Sequence, residues 1–225
     1  MYSTRQKAIF ESRRDAGRQL AARLSQYDGK PVVVLAIPNG GVPVGLEVAG
    51  ALKADFDVIV CRKIPMPLSP EAGFGAIADD GTIVLNPEAT RKIGITEAQI
   101  EFEANKVRAE VKKRSLLYKG NRPLVSLTNK TVIIVDDGLA SGITMQAAVE
   151  SVRRRHPKEI IVAVPAASAV AIQQLEKAAD KVVTCAIGTM SRFYVADFYR
   201  NWRDLADNEI LQFLRSERPE WGGKP

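Results

Sequence analysis

Thr131-Val132-Ile133-Ile134-Val135-Asp136-Asp137-Gly138-Leu139-Ala140-Ser141-Gly142-Ile143-Thr144 is the stretch whose reading decides the fold. Its first residues form a continuous β-branched apolar run, which is how a strand buried on both faces of a parallel sheet reads. The run stops at two adjacent carboxylates, and a loop of small residues then enters a helix near Gly142. Backbone N–H groups at a helix N-terminus, approachable because of Gly142 and joined by the Ser141 and Thr144 hydroxyls, suit a terminal phosphate dianion. Asp136 and Asp137 repel such a phosphate, but they suit the vicinal hydroxyls of a sugar whose phosphate lies in the loop. A ribose 5-phosphate carries both groups.

Outward from this stretch, similar apolar runs occur at residues 31–37, 58–61, 160–164 and 182–186, with helix-like stretches at 42–53, 143–155 and 169–178. Alternation of this kind predicts an α/β chain with a doubly wound, mostly parallel sheet. The longest predicted helix covers residues 96–119, opened by a Thr96/Gln99 capping box and striped by Ile100, Ala104, Val107 and Val111. Residues 64–81 hold three prolines and three glycines and read as a functional or mobile loop. A single domain over residues 1–215 is expected, with a flexible polar tail at 216–225.

The chain has 225 residues, 46% hydrophobic and 26% charged, enough for one buried core. No apolar run approaches the roughly 20 residues of a spanning helix, so a soluble, unexported, cytoplasmic protein is expected. Residues 4–24 are Arg-rich, but Glu11 and Asp15 interrupt the charge, and Phe10, Leu20 and Leu24 can line one face of an ordinary helix. Cys61 and Cys185 match no metal or redox spacing, and a lone histidine, His156, excludes multi-histidine zinc sites. The net charge of +6 admits nucleic acid and phosphorylated metabolites alike. Much of the excess falls at residues 106–119 and 153–158, where helical spacing would spread it over solvated faces.

Four apolar residues, two acids, a short variable stretch and then small-Gly-x-Thr resemble the signature of the type I phosphoribosyltransferases, here Ile133 to Thr144 with Ser141 where threonine is commoner. The resemblance spans roughly residues 31–210 and implies that family's Rossmann-like fold with a small hood subdomain over about 186–205. It implies that Asp136, Asp137, Gly138, Leu139, Ala140, Ser141, Gly142, Ile143 and Thr144 bind 5-phosphoribosyl-1-pyrophosphate (PRPP). It also implies a first loop, Asn39, Gly40 and Gly41, that binds pyrophosphate with Arg62 and Lys63, and a catalytic group of Asp136, Asp137, Lys63 and Glu71. Residues 65–75 would be the lid. Magnesium would be bound through PRPP and water rather than directly by the protein.

Phe193 and Tyr194 are the candidate base-binding pair within a cluster that includes Phe198, Tyr199 and Trp202. These aromatics either stack a nucleobase or pack the C-terminal segment onto the core. Ala140 stands where enzymes acting on 6-oxopurines usually keep a carboxylate base, so a different nucleobase-like acceptor is expected. A homodimer is implied as well. The alternative is a PRPP-sensing regulator with the same fold that binds nucleic acid. A hydrolase is disfavoured, since no Gly-x-Ser-x-Gly elbow occurs.

Overall fold

The computed structural model describes residues 8–66, 69–120, 122–189 and 192–217, with backbone only at 69–72. In chain order the elements are α1 (Arg13–Arg23), β1 (Val32–Ala36), α2 (Gly41–Leu52), β2 (Asp55–Val58), β3 (Cys61–Met66), β4 (Ser69–Ala78), β5 (Ile83–Leu85), α3 (Pro87–Ile93) and α4 (Glu97–Lys119). They continue with β6 (Thr131–Val135), α5 (Ile143–Arg153), β7 (Glu159–Ser168), α6 (Ala169–Leu175), β8 (Lys181–Gly188) and α7 (Asp207–Glu217).

A five-stranded sheet in the order β2-β1-β6-β7-β8 forms the centre, and every pairing in it is parallel. Its three inner strands, β1, β6 and β7, are buried on both faces, as their unbroken apolar runs require. Val34, Ile133 and Ile161 point to the side covered by Leu20 of α1, Val44 and Val48 of α2 and Ile210 and Leu214 of α7. Val33, Val132 and Val162 point to the other side, covered by Met145, Val149 and Val152 of α5 and Ala171 and Leu175 of α6. This two-sided cover is the doubly wound α/β arrangement expected from the alternation.

A second, antiparallel sheet, β3-β4-β5, occupies the region expected to be a loop. Pro65 sits at a register shift, where a missing N–H does least harm to a ladder. Gly75 lies within β4, where a Cβ would come within 2.6 Å of the Val84 carbonyl. Residues that read as loop punctuation are therefore fitted to a bulge and a close strand approach. The proposed lid coincides with this hairpin, and residues 67–68 lie outside the described residues. The sheet is held between α4, through Ala104, Val107 and Val111 against Ile64 and Phe74, and α5, through Ile143 and Ala147 against Ala76.

The run expected as one strand at 58–61 is the end of β2 and the start of β3, because an unbroken apolar run does not mark where the chain leaves one sheet for another. The capping box at Thr96 is present, and the α4 stripe is buried at Ala104, Val107 and Val111. The basic face of α4 is not wholly solvated. Lys119 makes a 2.5 Å ion pair with Asp79 in which each side chain is 11% exposed, and Arg114 pairs with Asp207 at 2.9 Å. Phe10, Leu20 and Leu24 are all buried, with Phe10 just ahead of α1. Most of the proposed tail, residues 218–225, lies outside the described residues.

Candidate active site

In the central sheet the chain moves from β1 outward to β2 on one side and from β6 to β7 and β8 on the other. The loops at the carboxyl ends of β1 and β6 therefore diverge, opening a crevice of the kind where open α/β sheets bind ligands. Ile37 N–H donates to the Val135 carbonyl at 2.9 Å, which fastens the first loop beside the acid pair, and the Pro38–Asn39 peptide there is cis. At Gly40 any side chain is excluded, since a Cβ would lie 1.9 Å from Asp137 Oδ2. The glycine-rich first loop and the acid pair are thus in direct contact.

After Asp137, Leu139 makes a parallel bridge to Ala167. Its N–H donates to the Ala166 carbonyl and its own carbonyl accepts from the Ser168 N–H, both at 2.9 Å. The Leu139 side chain is buried, so this residue anchors the loop to β7 rather than offering a group to a ligand. Ser168 Oγ donates to the Ala140 carbonyl at 2.7 Å. Gly142 has φ +74° at the start of α5, and no side chain caps that helix end. Ala140 and Ser141 are exposed and Thr144 is partly buried, so the small-residue loop presents a helix N-terminus outward.

A cavity of about 560 Å³ at this point is lined by Ile37 and Pro38, by Arg62 and Lys63 of β3, by Asp136 and Thr144, and by Glu103, Lys106 and Glu110 of α4. Arg62 pairs with Glu110 at 2.8 Å and Lys106 with Glu103 at 3.0 Å. The three α4 residues carry no signal in the sequence that separates them from an ordinary charged helix face. Two cavities of similar size lie elsewhere, one between α1 and α2 and one beside Ser141, Gln146 and Lys177, but neither reaches the acid pair.

The two acids differ. Asp136 retains some exposed surface at the cavity, and its Oδ1 accepts the Asp137 N–H at 2.8 Å. Burial, and then the neighbouring Asp137 charge, push its carboxyl well above the ordinary value of 3.8. Asp137 is turned to Arg13, whose Nε lies 2.7 Å from its Oδ2, and its carbonyl accepts the Tyr199 hydroxyl at 2.6 Å. Arg13 is a site residue that sequence reasoning missed, because one arginine in an Arg-rich helix looks like any other.

Asn39 also differs from a simple pyrophosphate contact. Its amide donates to the Leu205 carbonyl at 2.7 Å and to Asp207 Oδ1 at 3.0 Å, while its Oδ1 lies 2.8 Å from the Tyr118 hydroxyl. Arg114 and Tyr118 both reach Asp207 Oδ1. Burial alone would raise the Asp207 carboxyl, but the Tyr118 and Asn39 hydrogen bonds and the Arg114 charge outweigh it and hold it below the ordinary range. The first loop is tied in this way to α4 and α7.

The aromatic cluster serves packing in large part. Phe198 and Tyr199 are buried with Phe10, and the Phe193 ring packs tilted against Phe198 at 5.1 Å between centroids. Tyr194 is 59% exposed. Val195 lies over the loop after β6, so close that a Cβ on Gly138 would be 2.5 Å from it. The N-terminal segment belongs to the same unit, with Phe10 bridged to Tyr199 and the Arg200 N–H bonded to the Phe10 carbonyl. The Glu71 side chain lies outside the described residues.

Against known proteins, residues 6–197 match the model of the phosphoribosyl transferase domain. Two proteins from strains of Mycobacterium tuberculosis, carrying the provisional name phosphoribosyl transferase, are 40% identical over 206 residues, 92% of this chain. The chain spans about half of their length, since the match covers 46% of each. A crystal structure from Thermus thermophilus superposes with a TM-score of 0.76 at 34% identity, covering 92% of this chain and 98% of that one. An Aquifex aeolicus structure, at TM-score 0.50 and 11% identity over 78% of this chain and 74% of its own, shares the fold. Among the described residues no helix is long and apolar enough to cross a membrane. The family model covers most of the chain, including the acid pair at the crevice, and this chain therefore belongs to the phosphoribosyl transferase family.

Proposed function

We propose that the crevice binds PRPP and that the chain transfers its ribose 5-phosphate to a nucleobase-like acceptor, releasing pyrophosphate. The observation that carries this reading is the direct contact of the acid pair with the first loop at Gly40, beside a cavity that also holds Arg62 and Lys63. The α5 N-terminus with Ser141 and Thr144 takes the 5-phosphate, and Asp136 accepts hydrogen bonds from the ribose hydroxyls. The Gly40 and Gly41 amides take the diphosphate together with Arg62 and Lys63, with Arg62 exchanging Glu110 for the ligand.

The bond from the anomeric carbon to the diphosphate oxygen breaks, and its electron pair leaves with pyrophosphate. An acceptor nitrogen forms the new bond to that carbon and passes its proton to water or to the departing pyrophosphate. Cations at the diphosphate stabilise the charge that develops there, and the carboxylate beside the ribose favours an oxocarbenium-like state, so positioning and electrostatics supply the rate. Among the described residues no three or more His, Cys, Asp or Glu gather around a point. The carboxylates that line the cavity, Asp136, Glu103 and Glu110, do not converge on one point, so magnesium would be held there largely through substrate oxygens and water, with Asp136 beside the ribose. When bound, it neutralises diphosphate charge. Ala140 in place of a carboxylate directs the choice of acceptor away from 6-oxopurines.

Pyrophosphate release from PRPP, screened over nucleobases, tests the reading. The expected result is magnesium-dependent release with one acceptor, lost in Asp136→Asn/Asp137→Asn. Full turnover in that folded double variant contradicts it.

A further inference from the structure

Arg13 opens α1 and is separated from Asp137 by 124 residues, yet its side chain is only 9% exposed. Several parts of its guanidinium are used at once. Nε donates to Asp137 Oδ2 at 2.7 Å, Nη1 donates to the Arg203 carbonyl at 2.8 Å, and Cζ lies 3.9 Å from the centroid of the Trp202 ring. Asp137 is confined from two further sides, by the Tyr199 hydroxyl on its carbonyl and by the backbone of Gly40 against its carboxylate. Asp136, the preceding residue, is the one that lines the cavity.

Two adjacent carboxylates at the end of one strand repel each other. A guanidinium fixed on one of them relieves that repulsion and leaves the other for a ligand. A lysine at the same place supplies charge, but not the planar fork and stacking face that Arg13 uses together.

We propose that Arg13 is a positioning residue of the sugar site, which holds Asp137 against the first loop so that Asp136 faces the ribose. Its stack on Trp202 makes this arrangement depend on the segment after β8, so the N-terminal helix and the C-terminal segment jointly set the affinity for the sugar. The inference rests on the PRPP reading of the cavity. It assigns the ribose half of the ligand, and not the diphosphate half, to Arg13.

Calorimetric titration of the wild type, Arg13→Met, Arg13→Lys, Asp137→Asn and Arg13→Met/Asp137→Asn tests it, with PRPP, ribose 5-phosphate and pyrophosphate each added in magnesium buffer and thermal melts run in parallel. Both Arg13 variants are expected to weaken PRPP and ribose 5-phosphate by about tenfold or more while leaving pyrophosphate within about twofold. The double variant is expected to bind no more weakly than Asp137→Asn, since both changes remove one interaction. Equal losses for all three ligands, or additive losses in the double variant, overturn the proposal and leave Arg13 a fold-holding residue. Should Arg13→Met fail to fold, Arg13→Lys carries the same comparison. A wild type that binds none of the three ligands removes the PRPP reading and this inference with it, whereas a wild type that binds and Arg13 variants that bind equally well remove the inference alone.

Discussion

Asp136 sits where the proposed function and stability oppose each other. Its carboxyl, only partly exposed at the cavity, sits beside a second acid, so burial first and the Asp137 charge second favour the protonated form, while the Asp137 N–H and Arg13 offset them in part. A carboxyl whose folded pKa is raised makes the folded state bind more protons than the unfolded chain. Stability is therefore lost as pH rises from the ordinary value of 3.8 through the raised one. Asp136→Asn keeps the acceptor for the Asp137 N–H and removes the charge. It is expected to be more stable than the wild type at neutral pH, with the gap closing below about pH 4. Melts at the two pH values check this, and a less stable variant at neutral pH would show that the ionised carboxylate is instead well solvated.

The element-scale link is the junction of the first loop, α4 and α7 at Asn39, Tyr118, Arg114 and Asp207. Tyr118→Phe removes a hydroxyl lying 2.8 Å from Asn39 and 2.7 Å from Asp207 and is expected to cost about 1 kcal/mol. Asp207 is held below the ordinary range, so its contribution is present above about pH 4 and lost as pH falls through the folded value. The variant should move the acid-unfolding midpoint upward, which circular dichroism across about pH 2–5 reads; an unmoved midpoint would show that Arg114 alone sets Asp207. This junction was not legible in the sequence, because Asn39 and Asp207 are 168 residues apart and each looks like an ordinary loop or helix-start residue. The parallel strands were legible, since burial on both faces leaves a local apolar run. The β3–β4 hairpin was not, because Pro65 and Gly75 mark a loop and a bulge with the same letters. The β6 strand, the acid pair and the small-residue loop entering α5 were legible as one strand–loop–helix unit for the opposite reason: all their parts lie within one short stretch.

At the scale of the whole molecule, the two sheets share one apolar cluster, in which Phe74 and Ile64 of the hairpin meet the residues that back Val34 and Val135 of the central sheet. Phe74 is fully buried, and Phe74→Ala is expected to cost about 3–5 kcal/mol and to lower a single melting transition rather than split it. Calorimetry showing two separated transitions would make the hairpin sheet an independent unit. The central claim is that the divergence of β1 and β6 forms a PRPP site, and titration with PRPP in the presence and absence of magnesium tests it most directly. The account predicts binding that magnesium strengthens and that exceeds the affinity for ribose 5-phosphate; no binding of PRPP, with the protein folded, would contradict it.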